Sequence, residues 1–445
     1  MNGQSFDNYV AKHRRDAVLL HRPYPPHSGP KTNSKFGGLP RLPDHYEWPR
    51  DGHGNALHFL AQIDCADIPF GTPLPERGVL FFFAREDEEQ IWNDPDWLAD
   101  AVRVIYALDA FALTPPRAHP DDLGTPGGNH YPLPAWRGLV LEGEDAPKLH
   151  VEWPIQLLRI ETWPDELFEE VTEVRINWVQ RLKEKLFSAP PVQDWQAQND
   201  RHTAYSEVLQ AKRFEAFERS TGKCLELERP INGDRLQAQA LFEYAETGGT
   251  AFPFFWINIR HAASLLLWTF ESGGYRNNLR EDQLPLAREW LTRSKAQADD
   301  AVPNDADRAA FREWLMQWHK ERPDIAPDPL RYDKAVNFAV QTNIRSWSGD
   351  PEWAAKIPAW IYEAMRQSFD EWNYGDLAYS QMLGHAPSAQ EPLHPDDPTL
   401  CLINLCTDDA LGTMYGDVGN AAFFISPADL AKRDFRNVEG EVMGH

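Results

Sequence analysis

The sequence is short of cysteine, of basic charge and of long apolar runs. It has four Cys in 445 residues (Cys65, Cys224, Cys401 and Cys406), and none forms a Cys-x-x-Cys pair. This excludes a disulfide framework. Cys65, Cys401 and Cys406 stand in or beside apolar strand-like runs, as buried free thiols do in a reducing cytoplasm. No stretch reaches the roughly 18 uninterrupted apolar residues of a membrane span. The nearest, "FPFFWINIRHAASLLLWTF", is broken by Asn258, Arg260 and His261. The first 20 residues lack the apolar core and cleavage site of a signal peptide. The expectation is a soluble cytoplasmic protein without membrane contact.

Charge is one-sided. Asp and Glu number 68 against 44 Lys and Arg, a formal net charge of −24. A general nucleic-acid binder needs a basic footprint, so that class is excluded, as is docking on an anionic membrane surface. An acidic surface suits solubility, or a basic protein partner reached by electrostatic steering.

Catalytic signatures are also missing. There is no Gly-x-Gly-x-x-Gly, no glycine loop followed by Lys-Ser/Thr, no His-Glu-x-x-His and no Gly-x-Ser-x-Gly. "GTPGGNH" (124–130) has glycines but no Lys, and "HVE" (150–152) lacks a Pro-Cys-x-x-Cys partner. No catalytic residue, metal or cofactor is assigned.

What is present is apolar and aromatic: 42% hydrophobic, 12% aromatic, 17 Trp. Such a chain can bury a sizeable core. Residues 1–20 read as a short leading helix, and the Pro- and Gly-rich stretch 21–56 as an ordered loop. "LHFLAQIDC", "GVLFFFA" (78–84) and "AVRVIYAL" (101–108) read as strands, with the acidic "REDEEQ" as a solvated connection. Val171, Val174, Trp178, Leu182 and Leu186 share one face of a helix, and "SAPPVQDWQAQNDR" (188–201) reads as a linker. From about 202 to 375 helical periodicity takes over. Phe311, Trp314, Leu315 and Trp318 fall at i, i+3, i+4 and i+7, with Asn304 or Asp305 as cap; "PAWIYEAM" carries Pro358 in a first turn. Strands return with "LCLINLC" and "NAAFFIS" (420–426), before a helix start capped by Ser426.

One stretch is written twice. "LHFLAQIDCADIP" (57–69) is answered by "LCLINLCTDDALG" (400–412). Placing Gln62 on Asn404, a shift of 342, also places Asp67 on Asp409 and Phe81, Phe82 and Phe83 on Phe423, Phe424 and Ile425. "FGGLP" (36–40) is loosely answered by "LGHAP" (383–387). An internal duplication follows. Each copy is a glycine-proline loop, a buried strand with a central amide, a turn with carboxylates and an aromatic strand. Two such units pair, because neither buries its apolar face alone. The expected architecture is α+β, mostly antiparallel sheet built from two duplicated halves, residues 1–200 and 376–445, with a mainly helical insertion at 201–375.

These motifs carry a resemblance. "GGLPRLP", "WP", "LHFLAQID", "GVLFFF", "LGHAPSAQ" and "GDVGNAAFFISPADL" look like the YwqG-like family, a bacterial family of unknown function, over about residues 30–190 and 376–440. Members of that family are shorter, which makes 202–375 a departure. The resemblance implies an α+β fold with two related halves and no established reaction. Some relatives lie near polymorphic toxins, which implies an immunity or other partner-binding role.

Candidate binding residues come from the echo and its turns. Gln62 and Asn404 either read a ligand near a pseudo-twofold axis or pin the adjoining loops. Asp64, Asp67, Asp408, Asp409 and Asp417 sit at strand ends and turns, where Asp bonds its own backbone; brought together, they would suit a hard cation, although the spacing is not that of an EF-hand. "YGDVGN" (415–420), with Gly416 and Asp417, either offers backbone N–H groups to an anion or makes a tight turn. Trp48, set among Pro40, Pro43 and Pro49, either forms a binding surface or covers the open end of the sheet. The reading is a non-enzymatic protein-binding module, with a basic partner such as a toxin that it neutralises. The alternative is an enzyme or small-molecule sensor with its site at the seam between the halves.

Overall fold

The computed structural model describes residues 3–29, 31–86, 92, 100–126, 148–165, 192–223, 240–241, 252–271, 284–321, 332–371, 379–386 and 394–444. The helix expected around Val171–Leu186 and most of the 124–130 loop lie outside them, as does Cys224.

Two antiparallel sheets organise the chain. The first is made of β5 (Val102–Ala107), β4 (Val79–Ala84), β3 (His58–Asp64), β2 (Lys35–Phe36) and β6 (Trp153–Pro154), in that order. The second runs β11 (Glu439–Met443), β10 (Asn420–Ile425), β9 (Leu400–Cys406), β8 (Gln381–Leu383), β1 (Arg15–His21) and β7 (Gln156–Thr162). The series β2–β5 and β8–β11 are the two copies. The two outer connections differ from a simple tandem: the chain's first strand, β1, joins the C-terminal copy by pairing Leu19 with Gln381. The segment Trp153–Thr162 starts in one sheet and finishes in the other.

The backbone repeats in detail. Lys35 pairs with Gln62, and Gln381 with Asn404, so Lys35 and Gln381 are equivalent. The next strand ends then match too. Gly37 and Gly38 have φ of 50° and 66°, and Leu383 and Gly384 have 61° and 69°. A Leu is held where its copy has a glycine, in a region costly for a side chain. Both copies also bulge at the same place. Leu60 is passed over between the pairs Phe59–Phe83 and Ala61–Phe82, and Leu402 between Cys401–Phe424 and Ile403–Phe423.

That register corrects the expected one in two places. Gln62 faces Phe81, but Asn404 faces Ala422, so Phe81, Phe82 and Phe83 correspond to Ala422, Phe423 and Phe424. The loop after Asn404 is one residue shorter, and a ladder obeys its bulge and turn lengths, not string identity. In the glycine loops, Gly37 corresponds to Leu383, one residue from the string match.

The leading helix α1 (Gly3–Lys12) is shorter than expected, and most of the rest of its expected span is β1. The linker expected at 188–201 is instead part of a long helix, α2 (Val192–Thr221). The helical region then holds α3 (Trp256–Glu271), α4 (Leu284–Lys295), α5 (Asp305–Glu321), α6 (Tyr332–Trp347), α7 (Pro351–Ala354) and α8 (Ala359–Arg366), and α9 (Pro427–Lys432) follows β10. Asn304 caps α5 by accepting from Asp307 N at 2.8 Å, and Ser426 caps α9 by accepting from Asp429 N at 3.1 Å. Pro358 is the residue before α8, not in its first turn.

Three apolar clusters hold the layers. The largest lies between the sheets and runs on into the helices, joining Leu60, Phe82 and Phe423 to Trp256, Phe311 and Trp347. A second packs α1 and α2 on the outer face of the β1–β7 sheet, through Val10, Leu19, Ile160 and Phe217. A third covers the outer face of the β3–β5 sheet with loops, through Leu42, Trp48, Phe59, Phe81 and Phe83.

Candidate functional site

The two central amides are fully buried, and each is bonded inside its own half. Gln62 Oε1 accepts from Arg41 N at 2.9 Å, and its Nε2 donates to Asn33 O at 2.6 Å and Asn33 Oδ1 at 3.0 Å. The side chain therefore ties both ends of the 33–41 loop to β3. Asn404 makes different bonds, both within its own half. Its Oδ1 accepts from Asn420 Nδ2 instead, and its Nδ2 donates to Cys406 Sγ at 3.3 Å.

Three of the five turn carboxylates have local work. Asp64 accepts from Ala66 N at 3.1 Å and from Asn33 Nδ2 at 3.2 Å; Asp67 accepts from Thr32 Oγ1 at 2.8 Å and from Ser34 Oγ at 3.4 Å. Asp408 accepts from Ala410 N at 2.8 Å and pairs with Arg22. Asp409 and Asp417 are exposed. Among the described residues no three His, Cys, Asp or Glu side chains are grouped to hold a metal ion.

The other two candidates are placed by packing. Gly416 (φ 53°) and Gly419 lie against the chain's last strand; a Cβ on Gly419 would stand 1.7 Å from Met443 O. Trp48 is buried, donates Nε1–H to Leu57 O at 2.9 Å, and meets Phe83 edge to face at 5.3 Å. It sits on the outer sheet face, the face to which Gln62 also points, because Gln62 pairs with Phe81 while its neighbours Ala61 and Ile63 face the seam.

At the seam itself, Phe82 and Phe423 meet edge to face at 5.6 Å, with Trp92 against Phe423 at 5.5 Å. Beside them is one small cavity lined by Gly37, Leu60, His150, Cys406, Thr413 and Tyr415, with room for about one water. Neither ring nitrogen of His150 has a hydrogen-bond partner among the described residues. Burial holds this imidazole neutral, with its pKa down at about 3. Burial likewise pushes the Cys65 and Cys406 thiols up to about 12 and Cys401 higher still, so none is a ready nucleophile.

A buried cationic network escapes sequence reasoning. Arg22, 1% exposed, donates Nε–H to Asp408 Oδ2 at 2.8 Å and Nη2–H to Phe369 O, and lies 4.9 Å over the Trp153 ring. Arg345, on α6, donates to Asp409 O through Nε and Nη2 and lies over Phe369. Burial lowers its pKa to about 10, partly offset by Asp409 and Asp408. Lys223 is held by both oxygens of buried Asp370. Arg22 and Arg345 fasten the helical region to β1 and to the loop after β9, and Lys223 ties the end of α2 to the turn after α8. Ser348, just after α6, adds a bond to Glu152 O, so the end of that helix grips both halves. Glu86 is also buried, which corrects the reading of "REDEEQ" as wholly solvated; residues 87–90 lie outside the described set.

A family model described as a domain of unknown function, DUF1963, matches residues 34–257 and 271–441. Both stretches run past the motif boundaries into the helical region, so most of 202–375 falls inside the match. The chain matches none of the curated proteins.

Proposed function

The chain belongs to the DUF1963 family, a domain of unknown function, and from that premise we propose that it is a non-enzymatic protein-binding module that takes a basic protein partner. The observation that carries this reading is the Phe82–Phe423 contact. A small-molecule site at the seam would need a concave space with converging polar groups. Aromatic rings fill that position, and Gln62 and Asn404 spend their polar atoms on their own halves. The net charge of −24 supplies the attraction for a basic partner. Neutralisation of a cognate toxin is the specific case, and it rests on the YwqG-like resemblance, whose motifs lie almost wholly within the matched stretches. The three described thiols, free and buried, suit a reducing cytoplasm. No described helix is long and apolar enough to cross a membrane.

The alternative, an enzyme or sensor at the seam, draws on the cavity beside His150. Thermal unfolding against a panel of metabolites and divalent cations separates the two. A binding module shows no ligand that raises Tm through the seam. A ligand that stabilises the parent but not His150→Ala or Gln62→Ala would overturn the proposal.

A further inference from the structure

Among the described residues seven large apolar side chains are exposed, and three of them fall on one loop. Leu108, Phe111 and Leu113 are 62%, 58% and 90% exposed, all on the loop that follows β5. Scattered exposed apolar residues are ordinary, but three on one short loop form a patch.

The loop is held in shape. Ala110, between the exposed residues, is buried with Phe81 and Phe83 in the outer core. Phe111 O accepts from Thr114 N at 2.8 Å, and Thr114 Oγ1 accepts from Phe111 N at 3.1 Å. Arg41 Nη1 donates to Thr114 O at 2.8 Å. Arg117 joins the loop to its neighbour, through N to Pro40 O at 2.8 Å and Nη1 to Pro43 O and Tyr46 O. An apolar tip fixed in this way loses little conformational entropy when a partner covers it.

The exposed charges around the tip are mostly carboxylates, although Arg77, beside Leu108, is an exposed cation. The guanidiniums of Arg41 and Arg117 are half-buried and turned to backbone carbonyls. Asp44, Glu47 and Asp109 are exposed; among the described residues Asp109 meets Tyr46 Oη and His45 Nε2, each at 3.5 Å. The tip also follows directly on β5, the edge strand of its sheet. We infer that the Leu108–Thr114 tip, with the carboxylates of Asp44, Glu47 and Asp109 around it, is the docking surface for a basic protein partner that offers an apolar pocket rimmed by Lys or Arg. This rests on the reading of the chain as a binder of basic proteins and names the surface that does it. Aliphatic and aromatic anchors give the affinity, and the carboxylate rim gives attraction and salt dependence.

The test is selection of a random displayed 16-residue peptide library on the immobilised full chain, followed by fluorescence anisotropy of the selected peptides. Selected peptides should combine Lys or Arg with Leu, Phe or Trp. Leu108→Ser/Phe111→Ser/Leu113→Ser should weaken them at least tenfold, while Val302→Ser, at another exposed apolar position, leaves them unchanged. Asp44→Asn/Glu47→Asn/Asp109→Asn should flatten their salt dependence. Basic peptides that bind the triple-serine variant as well as the parent would overturn the assigned surface and leave the basic-partner reading standing. A selection without Lys or Arg enrichment would overturn both. Binding of neutral phosphatidylcholine vesicles, or a dimer in sedimentation, that the triple-serine variant loses would give the tip to a membrane or to a second copy and overturn the inference.

Discussion

Phe82 and Phe423 meet edge to face across the seam, with centroids 5.6 Å apart and an interplanar angle of 85°. Strand pairing makes them the same position in the two copies. One aromatic position, used twice, thus closes the duplication on itself.

Phe82→Ala and Phe423→Ala should each cost about 3–5 kcal/mol in denaturant unfolding, the range for a buried Phe. The double variant should show a coupling of about 0.5–1.5 kcal/mol, as touching aromatic pairs do. Phe81 points to the other face. A Phe81→Ala and Phe423→Ala cycle should therefore be additive within about 0.5 kcal/mol. A coupled Phe81–Phe423 pair would restore the register expected from string identity.

Arg22→Met leaves Asp408 without its buried guanidinium. Its expected cost is about 3–5 kcal/mol. Adding Asp408→Asn should recover part of that loss, because the second substitution removes the uncompensated charge. Chemical unfolding of the two single variants and the double checks this.

Acid should weaken the fold before carboxylates are protonated. His21, His150 and His261 are buried with pKa values of about 3, and His385 of about 4. Unfolded, each titrates near 6.5, so between there and the folded value the unfolded chain binds more protons. The stability is whole above about pH 6.5 and falls as pH drops below it, by up to about 1.4 kcal/mol per pH unit per histidine. Urea midpoints at pH 7.5, 6.5 and 5.5 should show a small change over the first step and a large one over the second. His150→Phe should flatten the lower step.

Gly38→Ala should cost more than Gly54→Ala. Both have positive φ, 66° and 86°, which costs a side chain roughly 1–2 kcal/mol. Gly54 has open space, but a Cβ on Gly38 would lie 1.8 Å from Glu152 Oε2, the carboxylate that Lys35 holds. Comparing the two midpoints separates backbone strain from collision.

The parts of this fold that were readable are those with local cause. β3 and β9 are buried on both faces, so each is a mainly apolar run, and its lone amide marks the register. Ser426 and Asn304 announce helix starts by their own hydrogen bonds. What was not readable depends on distant chain. β1 is a strand because β7 and β8 flank it, from more than a hundred residues away. α2 opens just after two prolines, which read as a linker. At the candidate site, Gln62, Asn404 and the turn aspartates could be named from the echo, but their partners could not. Arg22 and Arg345 are charged residues inside the protein, and no periodicity distinguishes them from surface arginines. The bulges at Leu60 and Leu402 shift register without changing composition.

The account turns on whether this acidic chain takes a basic protein. The most direct measurement is affinity capture from the native host at low and high salt, with stoichiometry by mass spectrometry. One stoichiometric basic partner, held at low salt and released at high salt, is the expected result. No partner at either salt, with a small molecule retained by the parent and lost from His150→Ala, would contradict it.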